Sequence, residues 1–104
     1  MARYDVYRNA SGRSSRDTPF LLDVQADLLT HLATRVVVPL RLASGIPRPV
    51  RLLQPEFTVS GVAVVMDTPA LVGVPVSAIG ERVGSLAEER DPILGALDFL
   101  LTGI

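Results

Sequence analysis

The sequence contains no cysteine and no lysine, one histidine and 5% aromatic residues. Without cysteine there is no disulfide, no thiolate zinc site and no cysteine nucleophile. One histidine leaves little from which to build a histidine-based metal site. With lysine absent, all ten basic residues are arginine, and eleven acidic residues bring the net charge to -1. A chain this close to neutral, with a pI of about 5.7, is a poor general binder of DNA or RNA. Such binders neutralise several phosphates from a basic face. No apolar run approaches the ~20 residues that span a bilayer. Neither end reads as a targeting segment: MARYDVYRNA lacks the apolar stretch of a secretory leader, and FLLTGI is too short to anchor. There is no P-loop, no Rossmann glycine pattern, no G-x-S-x-G elbow and no metal-ligand cluster. These absences predict a cytoplasmic protein without metal or cofactor, with no direct nucleic-acid or membrane contact.

What is present is apolar. Hydrophobic residues make up 48% of 104 positions, too many for a disordered chain. The length predicts one domain, 1–104, around one core.

Along the chain the pattern is first that of strands. Residues 3–8 alternate, with Tyr4 and Val6 on one side and Arg3, Asp5 and Tyr7 on the other, as in a half-buried strand. Residues 9–18 are small and polar and read as a loop. Residues 20–25 read as the partner strand, giving a long hairpin over 3–25. Residues 26–34 read as a helical turn or a loop. The run Val36-Val37-Val38 reads as a buried strand that ends at Pro39. Prolines 47, 49 and 55 predict loop and edge strand over 41–56. Residues 57–66 are the longest strand candidate, with Gly61 as a bulge or bend, and residues 71–76 are a further short strand.

The period then changes. Ser85 and Glu88 have the spacing of a capping box, with Pro92 inside the helix; alternatively Asp91 caps and Pro92 is the first helical residue. Residues 93–101 are helical in both cases. At about 100° per residue their apolar side chains cover an arc of roughly 220°. One sheet needs a stripe of about 100° or somewhat more, so the excess predicts a second buried surface, supplied by a dimer or another protein. The pattern as a whole predicts a β-rich α+β or small-barrel fold with one closing helix.

Candidate chemistry is sparse. Asp23 and Asp27 on one strand would stand roughly 13 Å apart, at ~3.3 Å per residue, too far to share a proton; read as strand then turn, Asp27 serves as a cap or as a partner for Arg35. His31 has no nucleophile elbow to act with. Glu81, Arg82, Glu88, Glu89 and Arg90 form a charge cluster suited to a solvated face and a helix start. Metal-free RNA cleavage needs a base, an acid and a cation on one phosphate. The available set is His31, Arg35 and Glu81, whose spacing gives no support. The residues argue for a binding protein, not an enzyme.

Several stretches resemble the CcdB toxin family: Asp5-Val6-Tyr7, residues 22–29, residues 35–40, and most specifically residues 22–27 and 74–83, followed by a helix and Gly103-Ile104. The likeness covers essentially the whole chain. It implies a five-stranded antiparallel sheet of the SH3-like toxin barrels, with a second small sheet and a C-terminal helix. It implies a homodimer that is the toxin of a type II toxin–antitoxin module, of the kind that maintains plasmids. Family members bind the DNA gyrase A subunit and trap gyrase on cleaved DNA, and a disordered antitoxin segment removes them. Carried over by position, the gyrase-binding set is Leu28, Leu29, Asp98, Leu101, Thr102, Gly103 and Ile104. The antitoxin is expected to meet Arg8, Arg13, Arg16 and Arg41. The alternatives are a toxin with another target, an antitoxin-binding regulator without toxicity, or an endoribonuclease like the related barrel family.

Three departures stand out against the resemblance. Thr102 occupies the place of the family tryptophan, Leu101 that of an aromatic and Asp98 that of an asparagine. Losing a hot-spot tryptophan commonly costs at least about 2 kcal/mol of binding. The comparison therefore implies a gyrase contact weakened at its centre.

Overall fold

The computed structural model describes residues 1–12 and 14–103. Seven strands form one antiparallel sheet: β1 (Asp5–Asn9), β2 (Phe20–Asp23), β3 (Thr34–Leu42), β4 (Glu56–Val59), β5 (Val62–Met66), β6 (Val72–Pro75) and β7 (Ile79–Ser85). The helix α1 (Arg90–Thr102) follows. The order is β4-β5-β3-β2-β1-β7, and β6 pairs with β3 beside β5. The fold is the expected β-rich α+β architecture, but with seven strands in place of five. The two halves of β3 explain the count. Its first half, residues 34–37, holds β6, and its second half, residues 40–42, holds the β4–β5 hairpin. The expected second sheet is thus joined to the main one through a single long strand. Among the described residues, no helix is long and apolar enough to cross a membrane.

Pro39 does not end β3, contrary to expectation. Its carbonyl accepts the Asp67 amide at 2.9 Å, so its nitrogen faces the same outer edge, where β3 passes from β6 to β5 and a ladder donor is not needed. The stretch 57–66 is two strands, not one. Ser60 and Gly61 both have positive φ, 49° and 77°, the signature of a two-residue hairpin turn. Strand β7 was hidden in sequence by its glycines. Gly80 and Glu81 together oppose Arg8 in a bulge. A Cβ at Gly80 would lie 2.8 Å from the Arg8 carbonyl oxygen. Gly80→Ala is therefore expected to cost about 1–3 kcal/mol in urea unfolding, whereas Gly84, with open space around it, tolerates alanine.

Pro92 lies inside the helix, as the first reading of its start has it, but neither the capping box nor an Asp91 cap forms. Ser85 Oγ accepts the Ala87 amide at 3.1 Å and no side chain caps the helix. Pro92 falls in the first turn of α1, where an amide has no intrahelical partner to lose. The helix closes on Gly103, left-handed at φ 73°, whose amide donates to the Phe99 carbonyl at 2.9 Å.

The core lies between α1 and one face of the sheet. Val6, Phe20, Leu22, Val38, Leu40, Val64 and Met66 meet Leu86, Ile93, Ala96 and Leu97. The opposite face is also buried at its centre, so β1 and β2 are not half-buried: Asp5, Tyr7, Leu21, Asp23, Arg35 and Val37 are all buried.

Candidate binding groove

Leu28 and Leu29 lie in a single helical turn, Asp27–Leu29, that leaves β2. The chain turns here because Asp23 ends the strand by accepting the Gln25 amide at 3.0 Å, and the Gln25 side chain then donates to the Leu29 carbonyl at 2.9 Å. Its oxygen accepts the Val36 amide at 2.9 Å, tying the turn to β3. Both leucines are pushed outward: Leu28 is 89% and Leu29 42% exposed. Asp27 neither caps by side chain nor meets Arg35. It accepts the Arg3 amide at 2.6 Å.

The helix end arrives at the same place. Arg3, Val24, Gln25, Ala26, Leu29, Val36, Leu71, Leu94, Leu97, Asp98 and Leu101 line one open, mainly apolar groove of about 410 Å³. Leu101 is 75% exposed on its rim. Of the residues that the resemblance nominated, the structure brings Leu29, Asp98 and Leu101 into this groove. Leu28 stands on the adjoining turn. Thr102 is exposed, and its hydroxyl donates back to the Asp98 carbonyl at 2.6 Å. Gly103 is exposed, and Ile104 lies outside the described residues. The excess apolar arc of α1 is real: Ile93, Ala96 and Leu97 face the core while Leu100 and Leu101 remain exposed. Sequence reasoning missed Arg3, Leu71 and Val36 as groove residues. Their approach depends on strand pairing, which no local spacing encodes.

The residues considered for the antitoxin are scattered. Arg8 bonds Glu81 at 2.8 Å on the exposed edge of β7, Arg41 stands 3.7 Å from Asp67, and Arg16 is exposed in the β1–β2 loop. Arg13 lies outside the described residues.

The residues considered for RNA cleavage are not joined by any hydrogen bond among the described residues. His31 is exposed in a turn, Glu81 is bound to Arg8, and Arg35 is buried. Arg35 donates to Asp23 through Nε at 3.1 Å and through Nη2. Burial pushes the Asp23 carboxyl up; the Arg35 guanidinium and the Gln25 amide pull it back down. Beside this pair, the Tyr7 hydroxyl donates to Asp5 Oδ2 at 3.3 Å, and Arg82 Nε lies 3.2 Å from the same oxygen. Burial and the neighbouring Asp5 carboxylate raise the Tyr7 hydroxyl above its usual value. Asp23 and Arg35 are buried as a pair, whereas the Arg82 side chain that meets Asp5 is largely exposed. No group of three histidine or acidic side chains suited to a metal occurs among the described residues.

The fold is shared with a solved structure described as an endoribonuclease from Mycobacterial species. The match has a TM-score of 0.74 at 18% identity and covers 97% of this chain and 90% of that one. Identity at that level establishes the fold alone. The sequence itself matches the family model described as CcdB protein over residues 3–103, nearly its full length, and the chain therefore belongs to the CcdB family, the toxins of toxin–antitoxin systems.

Proposed function

We propose that this chain is a toxin that acts by binding the DNA gyrase A subunit and holding gyrase on cleaved DNA, with no catalysis of its own. The observation that carries this reading is the convergence of exposed leucines from distant segments, Leu29 and Leu101, on a single groove, with the exposed Leu28 on the adjoining turn. Large apolar side chains held in water on rigid turns mark a surface built for a partner. The acting form is a homodimer, and a cognate antitoxin with a disordered segment that folds on binding controls it. Both partners are supported by family membership and by the unsatisfied apolar arc of α1.

The test is a cleavage assay with the gyrase of the chain's own host. Micromolar protein is expected to raise linear DNA and to stall supercoiling. Unchanged supercoiling and cleavage would remove the gyrase reading.

A ribonuclease reading draws on the activity printed for the structural neighbour. Among the described residues, His31, Arg35 and Glu81 are not joined by any hydrogen bond, and Asp5, Tyr7 and Arg82 are engaged with one another. Fragmented transcripts after induction, with gyrase unaffected, would select it.

A further inference from the structure

Strand β4 leaves a row of backbone groups without partners. It stands at one end of the strand order and pairs only with β5 among the described residues. The two-residue turn at Ser60 and Gly61 makes Val59 and Val62 a hydrogen-bonded pair. The ladder then alternates, so Phe57 bonds Val64, and the Met66 amide donates to the Pro55 carbonyl at 2.9 Å. Glu56 and Thr58 fall between these pairs and turn their amides and carbonyls away from β5. The two sets of groups are about 7 Å apart, at ~3.4 Å per residue, which is the repeat by which one strand pairs with another.

This edge opens on a cleft of about 470 Å³, bounded by Glu56, Phe57 and Thr58 along the strand and by Leu86 and Glu89 from the connection between β7 and α1. The Glu56 and Glu89 carboxylates are exposed and form no ion pair among the described residues. No basic side chain of those residues lines the cleft. The opposite end of the sheet is different. Strand β7 is bent by two register shifts against β1, and its Glu81 is already held by Arg8. Bulges of that kind blunt an edge, whereas β4 runs regularly from Glu56 to Val59. A glutamate on a short edge strand also guards it, but selectively. A second copy laid along β4 would add its own Glu56 to a cleft that already holds two free carboxylates. A cationic strand would neutralise them.

We propose that the β4 edge and its cleft take an extended basic peptide segment as an added strand. The segment's main chain bonds Glu56 and Thr58, which supplies affinity, and its arginine or lysine side chains meet Glu56 and Glu89, which supplies selection. The cleft shares no residue with the leucine groove, so this assignment stands whether or not that groove binds gyrase.

The test uses the full chain with a short capped peptide of alternating arginine and valine as the probe, and its glutamate–valine counterpart as the control. Amide hydrogen exchange is followed by NMR. At saturating basic peptide, exchange at Glu56 and Thr58 is expected to slow at least about tenfold, with the β7 amides unchanged. The acidic peptide is expected to leave all of them unchanged. Thr58→Pro deletes an outward amide that bonds nothing within the chain, a position where a strand accepts proline. It is expected to weaken binding of the basic peptide at least about tenfold. Glu56→Arg keeps the edge, reverses its sign, and is expected to shift preference toward the acidic peptide. Circular dichroism establishes that both variants are folded; should Thr58→Pro not fold, protection at Glu56 and Thr58 in the wild type decides alone. Absence of that protection at millimolar basic peptide would overturn the proposal. Binding that survives Thr58→Pro but not Glu56→Arg would be charge attraction without strand addition, and would overturn it equally. So would an unchanged preference in Glu56→Arg. Protection that rises with protein concentration and without peptide would give the edge to a second copy instead.

Discussion

Arg35→Met is expected to remove about 3–5 kcal/mol of stability at pH 7, measured by urea unfolding. Arg35 and Asp23 are 1% and 0% exposed, so the pair exists in a medium that penalises either ion alone. A domain of this size is stable by only about 5–15 kcal/mol. At about 4–8 °C of Tm per kcal/mol, the variant should melt at least about 12 °C lower. The loss depends on pH in a determined direction. Removing the cation leaves burial opposed only by the Gln25 amide, so the Asp23 carboxyl in the folded variant is raised further above its ordinary value. A carboxyl raised on folding contributes its full stability below the unfolded value of about 3.9. That contribution is lost as pH rises through the folded value. The deficit of Arg35→Met relative to wild type is therefore smallest near pH 3–4 and grows toward neutrality. Adding Asp23→Asn removes the titrating group while its side-chain oxygen still accepts the Gln25 amide, so the double variant should lose that pH dependence. A single variant within about 1 kcal/mol of wild type at pH 7 would show that the pair is not what holds this face.

How much of this was readable in advance follows from what is local. The hairpin of β1 and β2, the short β6 and the helix up to Gly103 each announce themselves within a few residues, through alternation, β-branched runs or helical period. The Asp23–Arg35 pair does not. Its partners lie on neighbouring strands, and the sequence reading offers Asp27, nearer to Arg35, in place of Asp23, which the register of β2 and β3 brings to Arg35. Strand β7 was missed because its two bulges and two glycines break the alternation that identifies a strand. Pro39 misled for a different reason. Its lack of a donor terminates a strand only when a ladder needs that donor, and the exchange of β6 for β5 along β3 removes the need. The leucines of the groove were legible as a surplus, an apolar arc wider than one sheet requires. That Leu29 and Leu101 share a groove was carried by family resemblance and became physical only once Gln25 was seen to tie the Asp27–Leu29 turn to β3.

Thr102→Trp is expected to strengthen binding to the gyrase A subunit by roughly 30- to 700-fold, the equivalent of about 2–4 kcal/mol at 1.4 kcal/mol per tenfold. Position 102 is exposed at the end of α1, next to Leu101, and the surface there is already apolar. A tryptophan in place of Thr102 adds large contact area with few rotatable bonds, the combination typical of interface anchors. Little is lost in exchange. The hydroxyl of Thr102 only bonds back to the Asp98 carbonyl one turn earlier, an interaction that is near neutral for helix stability. Urea unfolding should therefore leave the variant within about 0.5 kcal/mol of wild type, so that a gain in affinity reads as contact and not as altered folding. Titration of the purified gyrase A subunit against wild type and Thr102→Trp measures the ratio directly. Leu101→Asp, placed on the same rim, should move affinity in the opposite direction by at least about tenfold, because it sets an unpaired carboxylate against the apolar contact. If tryptophan at 102 leaves affinity unchanged while the Leu101 variant binds as well as wild type, the end of α1 does not touch gyrase.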